Sequence, residues 1–262
     1  MREQRVETWL ELQEALFASS WNEELGRHRS SFAYRGMPHV AHDLSTALNR
    51  KGMFVRQEKD LLRAFRKYAR GAAQAHLESV WDWLALAQHH GLPTRLLDWT
   101  FSPYVALHFL TEDSDLFDQD GVVWSVDYRE TNRLLPRPLK AQLKQEGADV
   151  FTGEMLAEVA GEMAAFDTLA KHPFVLFFEP PSLDARIVNQ FALFSVMNGP
   201  EMRLDEFLEG QKQGVRKLIV PASLKWEVRD KLDQANVTER VLFPGLDGLS
   251  RWLRRYYSPR PR

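Results

Sequence analysis

The run Gln88-His89-His90-Gly91-Leu92-Pro93-Thr94-Arg95-Leu96-Leu97-Asp98-Trp99-Thr100-Phe101-Ser102-Pro103 dictates how the middle of this chain can be built. A helix over 79–90 turns Val80, Trp83, Leu84 and Ala87 inward, and Gly91 and Pro93 stop it and set a turn. Leu96 and Leu97 then anchor a strand-like piece. Ser102-Pro103 opens another helix, with Ser at the cap and Pro in the first turn, running through Val105, Ala106 and Phe109. The His, Thr, Arg, Asp and Ser side chains are left in or beside the connecting loops, where a rigid scaffold usually carries its chemistry.

Around this centre the hydrophobic pattern alternates between two periods. Residues 6–18 carry Trp9, Leu10, Leu12, Leu16 and Phe17 at helical spacing, and 57–70 repeat it with Leu61, Leu62, Phe65 and Tyr68. Ser31 to Arg35 reads as a strand with Phe32 and Tyr34 on one face and Ala33 and Arg35 on the other. Val122–Val126, Val175–Phe178, Leu193–Val196 and Lys217–Val220 read as further strands. The expected fold is a single mixed α/β (α+β) domain over 1–262, with a signature-bearing core at about 28–249. An N-terminal helix (6–18) and a C-terminal helix (246–257) pack on it. A chain of 262 residues with 44% hydrophobic residues, 16 Phe and 8 Trp can bury a core of that size.

Composition removes several function classes. A formal charge of −2 argues against wholesale electrostatic attachment to nucleic acid or membrane. The absence of cysteine excludes disulfides, thiolate nucleophiles and Cys-ligated zinc. The N-terminus Met1-Arg2-Glu3-Gln4-Arg5 has no apolar leader, and no stretch is long and apolar enough to span a bilayer, so a cytoplasmic location with no membrane partner is expected.

The 88–103 run resembles the signature of the FRG domain family, named for a Phe-Arg-Gly tripeptide near its start. This chain has Tyr34-Arg35-Gly36 at that place. The likeness continues in Arg186-Ile187-Val188-Asn189-Gln190-Phe191-Ala192-Leu193-Phe194, where Ala192 replaces the family's usual Gly, and in Leu242-Phe243-Pro244-Gly245-Leu246-Asp247-Gly248-Leu249. Arg35-Gly36, Thr100-x-Ser102 and Gln190, in that order, also resemble the layout of ADP-ribosyltransferases of the Arg-Ser-Glu class. There an Arg follows an aromatic on the first core strand, a Ser/Thr-x-Ser/Thr element precedes a helix, and a Glu or Gln begins a late strand.

That second resemblance implies a small central β core of ADP-ribosyltransferase type with decorating helices, and NAD as substrate. Tyr34, Arg35, Gly36, His90, Arg95, Asp98, Thr100 and Ser102 would then contact NAD, with arginine gripping the diphosphate and hydroxyls holding the nicotinamide ribose. Gln190 would orient the ribose as it gains oxocarbenium character, but Gln cannot take a proton. Glu179, at the end of an apolar strand, is the nearest carboxylate in sequence for that role. The acceptor would be a macromolecule, nucleic acid or protein, in the manner of a bacterial toxin or antiphage effector, with a neutralising antitoxin as a further candidate partner.

Each of these residues also has a structural alternative. Arg35 can pair with Asp98, Ser102 can be a helix cap, and Gln190 can satisfy backbone groups, which leaves a non-catalytic module binding nucleic acid, nucleotide or protein. The histidines 39, 42, 89 and 90 lack a strong coordination spacing, so no metal is expected, and at most one of His89 and His90 should face the site. In the basic-aromatic run 251–262, Trp252 and Tyr256 are expected to dock a last helix while its arginines stay in solvent.

Overall fold

The computed structural model describes residues 1–50, 54–71 and 77–260. The strands are β1 (Arg2–Arg5), β2 (Trp21–Asn22), β3 (Arg27–His28), β4 (Phe32–Met37), β5 (Leu97–Thr100), β6 (Gly121–Asp127), β7 (Phe151–Thr152), β8 (Val175–Glu179), β9 (Ala192–Met197) and β10 (Val215–Val220). The helices are α1 (Trp9–Phe17), α2 (Glu58–Ala69), α3 (Val80–His89), α4 (Pro103–Leu110), α5 (Tyr128–Asn132), α6 (Arg137–Glu146), α7 (Gly153–Val159) and α8 (Met163–Asp167). Five more follow: α9 (Ala185–Asn189), α10 (Leu204–Glu209), α11 (Ala222–Gln234), α12 (Glu239–Leu242) and α13 (Leu246–Tyr256). The mixed α/β architecture is as expected.

Eight strands form one mixed sheet in the order β1-β10-β6-β4-β5-β9-β8-β7, larger than the small core expected; β2 and β3 pair separately. Part of the excess is β1, which runs parallel to β10 at the sheet edge. Its sequence Arg-Glu-Gln-Arg has no apolar alternation, and a charged edge strand gives no periodic signal. Where apolar alternation exists, it works as read. Phe32 and Tyr34 join the cluster formed with α1, α4 and α11, whereas Ala33 and Met37 join the opposite one beside Val122, Trp124 and Val126. Leu176, Phe178, Phe194 and Val196 pack with α2, α3, α6, α7 and α8 in a third cluster.

Two features turn the central segment. Ser79 caps α3 in a capping box with Asp82, and Gly91 ends it at φ +80. Ser102 caps α4 by accepting from the Val105 amide, with Pro103 at the first helical position.

The last helix departs in part from its expected orientation: Trp252 is half-buried with its indole nitrogen enclosed, as expected, but Tyr256 does not dock. Tyr256 is 56% exposed, as are Leu246 and Tyr257 to a greater degree, while Arg255 turns inward. Its guanidinium donates to Asp233 at 2.7 Å and to Glu239. Gly248 lets this happen, because a Cβ there would lie 1.8 Å from the Phe243 carbonyl oxygen. Charge and backbone proximity hold α13 together with the half-buried Trp252, whose ring lies under the Arg240 guanidinium at 4.5 Å.

Arg95 is a further inward-turned cation, buried like Lys225 and Arg229. Its side chain is 4% exposed and forks onto Glu58, with Nε at 2.7 Å and Nη2 at 2.5 Å, and it also pairs with Asp167. Removing one member of a buried ion cluster leaves uncompensated charge, at about 3–5 kcal/mol. Arg95→Ala is expected to lose that order of stability in denaturant melts. Loss of ligand binding at unchanged stability would show that Arg95 serves the site instead.

Candidate functional site

Strands β4 and β5 are neighbours through one residue pair, Tyr34 opposite Thr100. Elsewhere each pairs fully on its other side, β4 with β6 and β5 with β9. Past that pair, the Arg35 guanidinium replaces the missing ladder by donating Nη1 to the Asp98 carbonyl at 2.5 Å. A cleft of about 1160 Å³ lies over this junction. Its lining residues come from β4, the loop after it, the end of α3, β5, the end of α4, α9 and β9.

Six of the expected site residues keep their place. Arg35, Gly36, His90, Asp98, Thr100 and Gln190 all line the cleft. Thr100 donates its hydroxyl to the Gln190 carbonyl at 2.7 Å, and the Gln190 side-chain amide donates to the Leu242 carbonyl at 2.9 Å. The Asp98 carboxylate faces the Gln88 amide at 2.9 Å, so it pairs with neither Arg35 nor Arg95. Gly36 has a packing reason to be glycine: a Cβ would sit 1.7 Å from the Ala106 carbonyl oxygen of α4.

Four expectations are corrected. Arg95 is spent on Glu58 and Asp167, away from the cleft. Ser102 is absent from the lining because its hydroxyl is committed to the α4 cap. Tyr34 borders the cleft, but its side chain faces the opposite sheet side, and its hydroxyl bonds Ser30 and the Leu16 carbonyl. Glu179 ends β8 opposite Thr152 of β7, beyond β9 and outside the lining.

Other lining residues escaped the sequence reading. Both His89 and His90 face the cleft, because the helix ends at His89 and the backbone no longer takes the helical step; the rings meet edge-on at 5.1 Å. His89 Nε2 lies 2.6 Å from Asp184 Oδ2, a pairing across 95 positions. Asp184 is itself pinned, since Oδ1 accepts from the Ile187 amide as the N-cap of α9. Burial pulls the His89 imidazole below its ordinary value, with Asp184 opposing that shift. Arg50 and Arg186 add two guanidiniums to Arg35, and Arg186 lies 4.9 Å over the Phe243 ring.

Arg35 and Arg186 each have a buried Nε without a partner among the described residues, donors that an anionic ligand could satisfy after small side-chain shifts. Glu112 also lines the cleft, and desolvation pushes its carboxyl up despite Arg251 at 3.6 Å. His39 and His42 lie with ring centroids 5.4 Å apart and tilted by 34°, and among the described residues no group of three or more His, Asp or Glu is arranged to hold a metal.

Residues 30–119 match the family model of the FRG domain. Over that segment the chain is similar to the FRG domain. That match spans β4 through α4, and so includes Arg35, Gly36, His89 and Thr100; Asp184, Arg186 and Gln190 lie beyond it. No curated protein and no solved structure gives a significant match to the chain. Among the described residues no helix is long and apolar enough to cross a membrane.

Gly36 of the Tyr34-Arg35-Gly36 tripeptide and Ser102 make separate predictions. Gly36→Ala should force α4 off the sheet and cost about 3 kcal/mol or more, the upper end for overpacking, in denaturant melts. Ser102→Ala should cost only about 1 kcal/mol, as for a lost cap, and leave binding in the cleft unchanged. A binding defect in the Ser102 variant at near-native stability would return that hydroxyl to the site.

Proposed function

We propose that the cleft of this protein binds NAD, cleaves its nicotinamide–ribose bond and transfers ADP-ribose to a macromolecular acceptor, nucleic acid or protein. The observation that carries this reading is the convergence of Arg35, Thr100 and Gln190. They come from β4, the end of β5 and the residue two before β9, three strands adjacent in the sheet, and they line one cleft. Its volume of about 1160 Å³ is above the roughly 300–1,000 Å³ of ordinary small-molecule sites and is roomy enough for a dinucleotide.

In this reading Arg35 and Arg50 grip the diphosphate. Arg35 uses one of its five donors on the Asp98 carbonyl and keeps the rest of its planar fork. Thr100 acts at one remove, fixing the Gln190 backbone. Gln190, anchored on Leu242, presents its side-chain oxygen towards the ribose, where it stabilises developing positive charge without taking a proton. A toxin or antiphage effector working this way would need a neutralising partner in its own cell.

A second reading has its own support. Arg35, Thr100 and Gln190 each already hold a backbone carbonyl, which is what a non-catalytic module that binds nucleotides or phosphoesters would also show. Nicotinamide release by purified protein, with and without cell RNA, DNA or protein as acceptor, separates the two. The transferase reading expects release, and Arg35→Lys should lower it about 10- to 100-fold, the value of charge-assisted hydrogen bonds at roughly 1.5–3 kcal/mol. If the native protein binds no NAD and releases no nicotinamide with any acceptor, the binding-module reading replaces it.

A further inference from the structure

The cleft contains an oriented histidine that the reading above does not use. His89 Nε2 faces Asp184 Oδ2 at 2.6 Å, and Asp184 cannot swing because its other oxygen caps α9 at the Ile187 amide, 3.0 Å away. Asp184 also begins the short helix that carries Arg186 and leads into Gln190, so the carboxylate and the ribose-side residue move as one piece. With Nε2–H donated to the carboxylate, Nδ1 holds the lone pair. It has no hydrogen-bond partner among the described residues and is not fully enclosed, and the residue lines the cleft. An imidazole fixed by a carboxylate on one nitrogen and free on the other has the arrangement of a general base.

We propose that His89, held by Asp184, accepts the proton of a hydroxyl-bearing acceptor as that hydroxyl attacks the anomeric carbon of the nicotinamide ribose. This rests on the NAD reading of the cleft, and it supplies the proton acceptor that Gln190 cannot be and that Glu179, outside the lining, does not provide. In the step, the acceptor oxygen–carbon bond forms and the carbon–nitrogen bond to nicotinamide breaks. Its electron pair stays on the ring nitrogen and discharges the pyridinium. The hydroxyl proton goes to His89 Nδ1, and Asp184 stabilises the resulting imidazolium until the proton is lost to solvent. The acceptor class follows from the chemistry. A carboxylate has no proton to lose and needs no such base; a neutral hydroxyl does.

The charged groups around the imidazole set the sign of the pH dependence. Desolvation lowers the His89 pKa, Asp184 raises it, and Arg186 and His90 lower it. The net shift is downward, so His89 is neutral at pH 7 and activity should fall only on acidification below the ordinary histidine value of 6.5. Asp184→Asn removes the one group that raises the pKa while keeping a side chain that can cap α9. The acid limb of that variant should move to still lower pH, with a reduced plateau.

The test measures nicotinamide release from NAD with three probe nucleophiles: water, methanol and azide. Methanol must lose a proton, whereas azide is already an anion. His89→Gln should slow release with water and methanol about 100-fold or more, within the usual range for a lost general base, and erase the acid limb. Release with azide should stay near the native rate. Equal loss with all three nucleophiles would make His89 a positioning residue, and no loss with methanol would remove it from the reaction; either overturns the proposal while leaving NAD cleavage standing. No release by the native protein with any nucleophile, together with no NAD binding, overturns the NAD reading and this step with it.

Discussion

The single residue pair Tyr34–Thr100 is the constraint on which the rest of the molecule depends. Strands joined by one pair cannot hold each other in register, so the two parts of the sheet are held from outside. On one side Tyr34 is buried against α1 and α4 with its hydroxyl tied to Leu16 and Ser30; on the other, β5 is paired along its whole length with β9. A continuous ladder here would satisfy every backbone group and leave no opening. The missing ladder leaves the Asp98 carbonyl without a strand partner, and Arg35, which reaches it, lines the cleft.

That economy explains why α9 matters beyond its five residues. It brings Arg186, Ile187 and Gln190 to the cleft, yet so short a helix has little stability of its own. It is held by polar contacts at both ends: Asp184 to His89 at the start, and Asn189 and Gln190 to the Val241 and Leu242 carbonyls at the finish. Those carbonyls belong to α12, which stays in place because Glu239 takes the inward guanidinium of Arg255, with Asp233 and the fully buried Arg229 beside it. The charge network under the C-terminal helix thus bears on cleft geometry through two intervening elements.

Which parts were legible in the sequence follows from the range of the interactions. The strand faces around Arg35, the stop at Gly91 and the cap at Ser102 are set by neighbours within about four positions, and pattern rules read them correctly. Arg95 misled because its partners lie 37 and 72 positions away, and nothing near it marks it as buried. His89 and His90 could not be ranked for the same reason: the carboxylate that distinguishes them is 95 residues distant. Glu179 was chosen by nearness along the chain, but the sheet places β9 between its strand and β5. Strand β1 carried no signal at all, since a polar edge strand pairs through its backbone alone.

Arg35 shows how structural and ligand-binding roles coexist on one side chain. A residue that only satisfied the Asp98 carbonyl would need one donor, and lysine would serve. Guanidinium has five donors in a rigid plane, of which Nη1 covers the carbonyl. An arriving anion therefore need not break the contact that closes the sheet; it can take the donors that remain, including the buried Nε that has no partner among the described residues. Keeping that contact preserves the side-chain link between the two strands, whose loss would otherwise be subtracted from binding. The planarity of arginine, and not its charge alone, is what allows a residue at an open sheet junction to serve the fold and a ligand together.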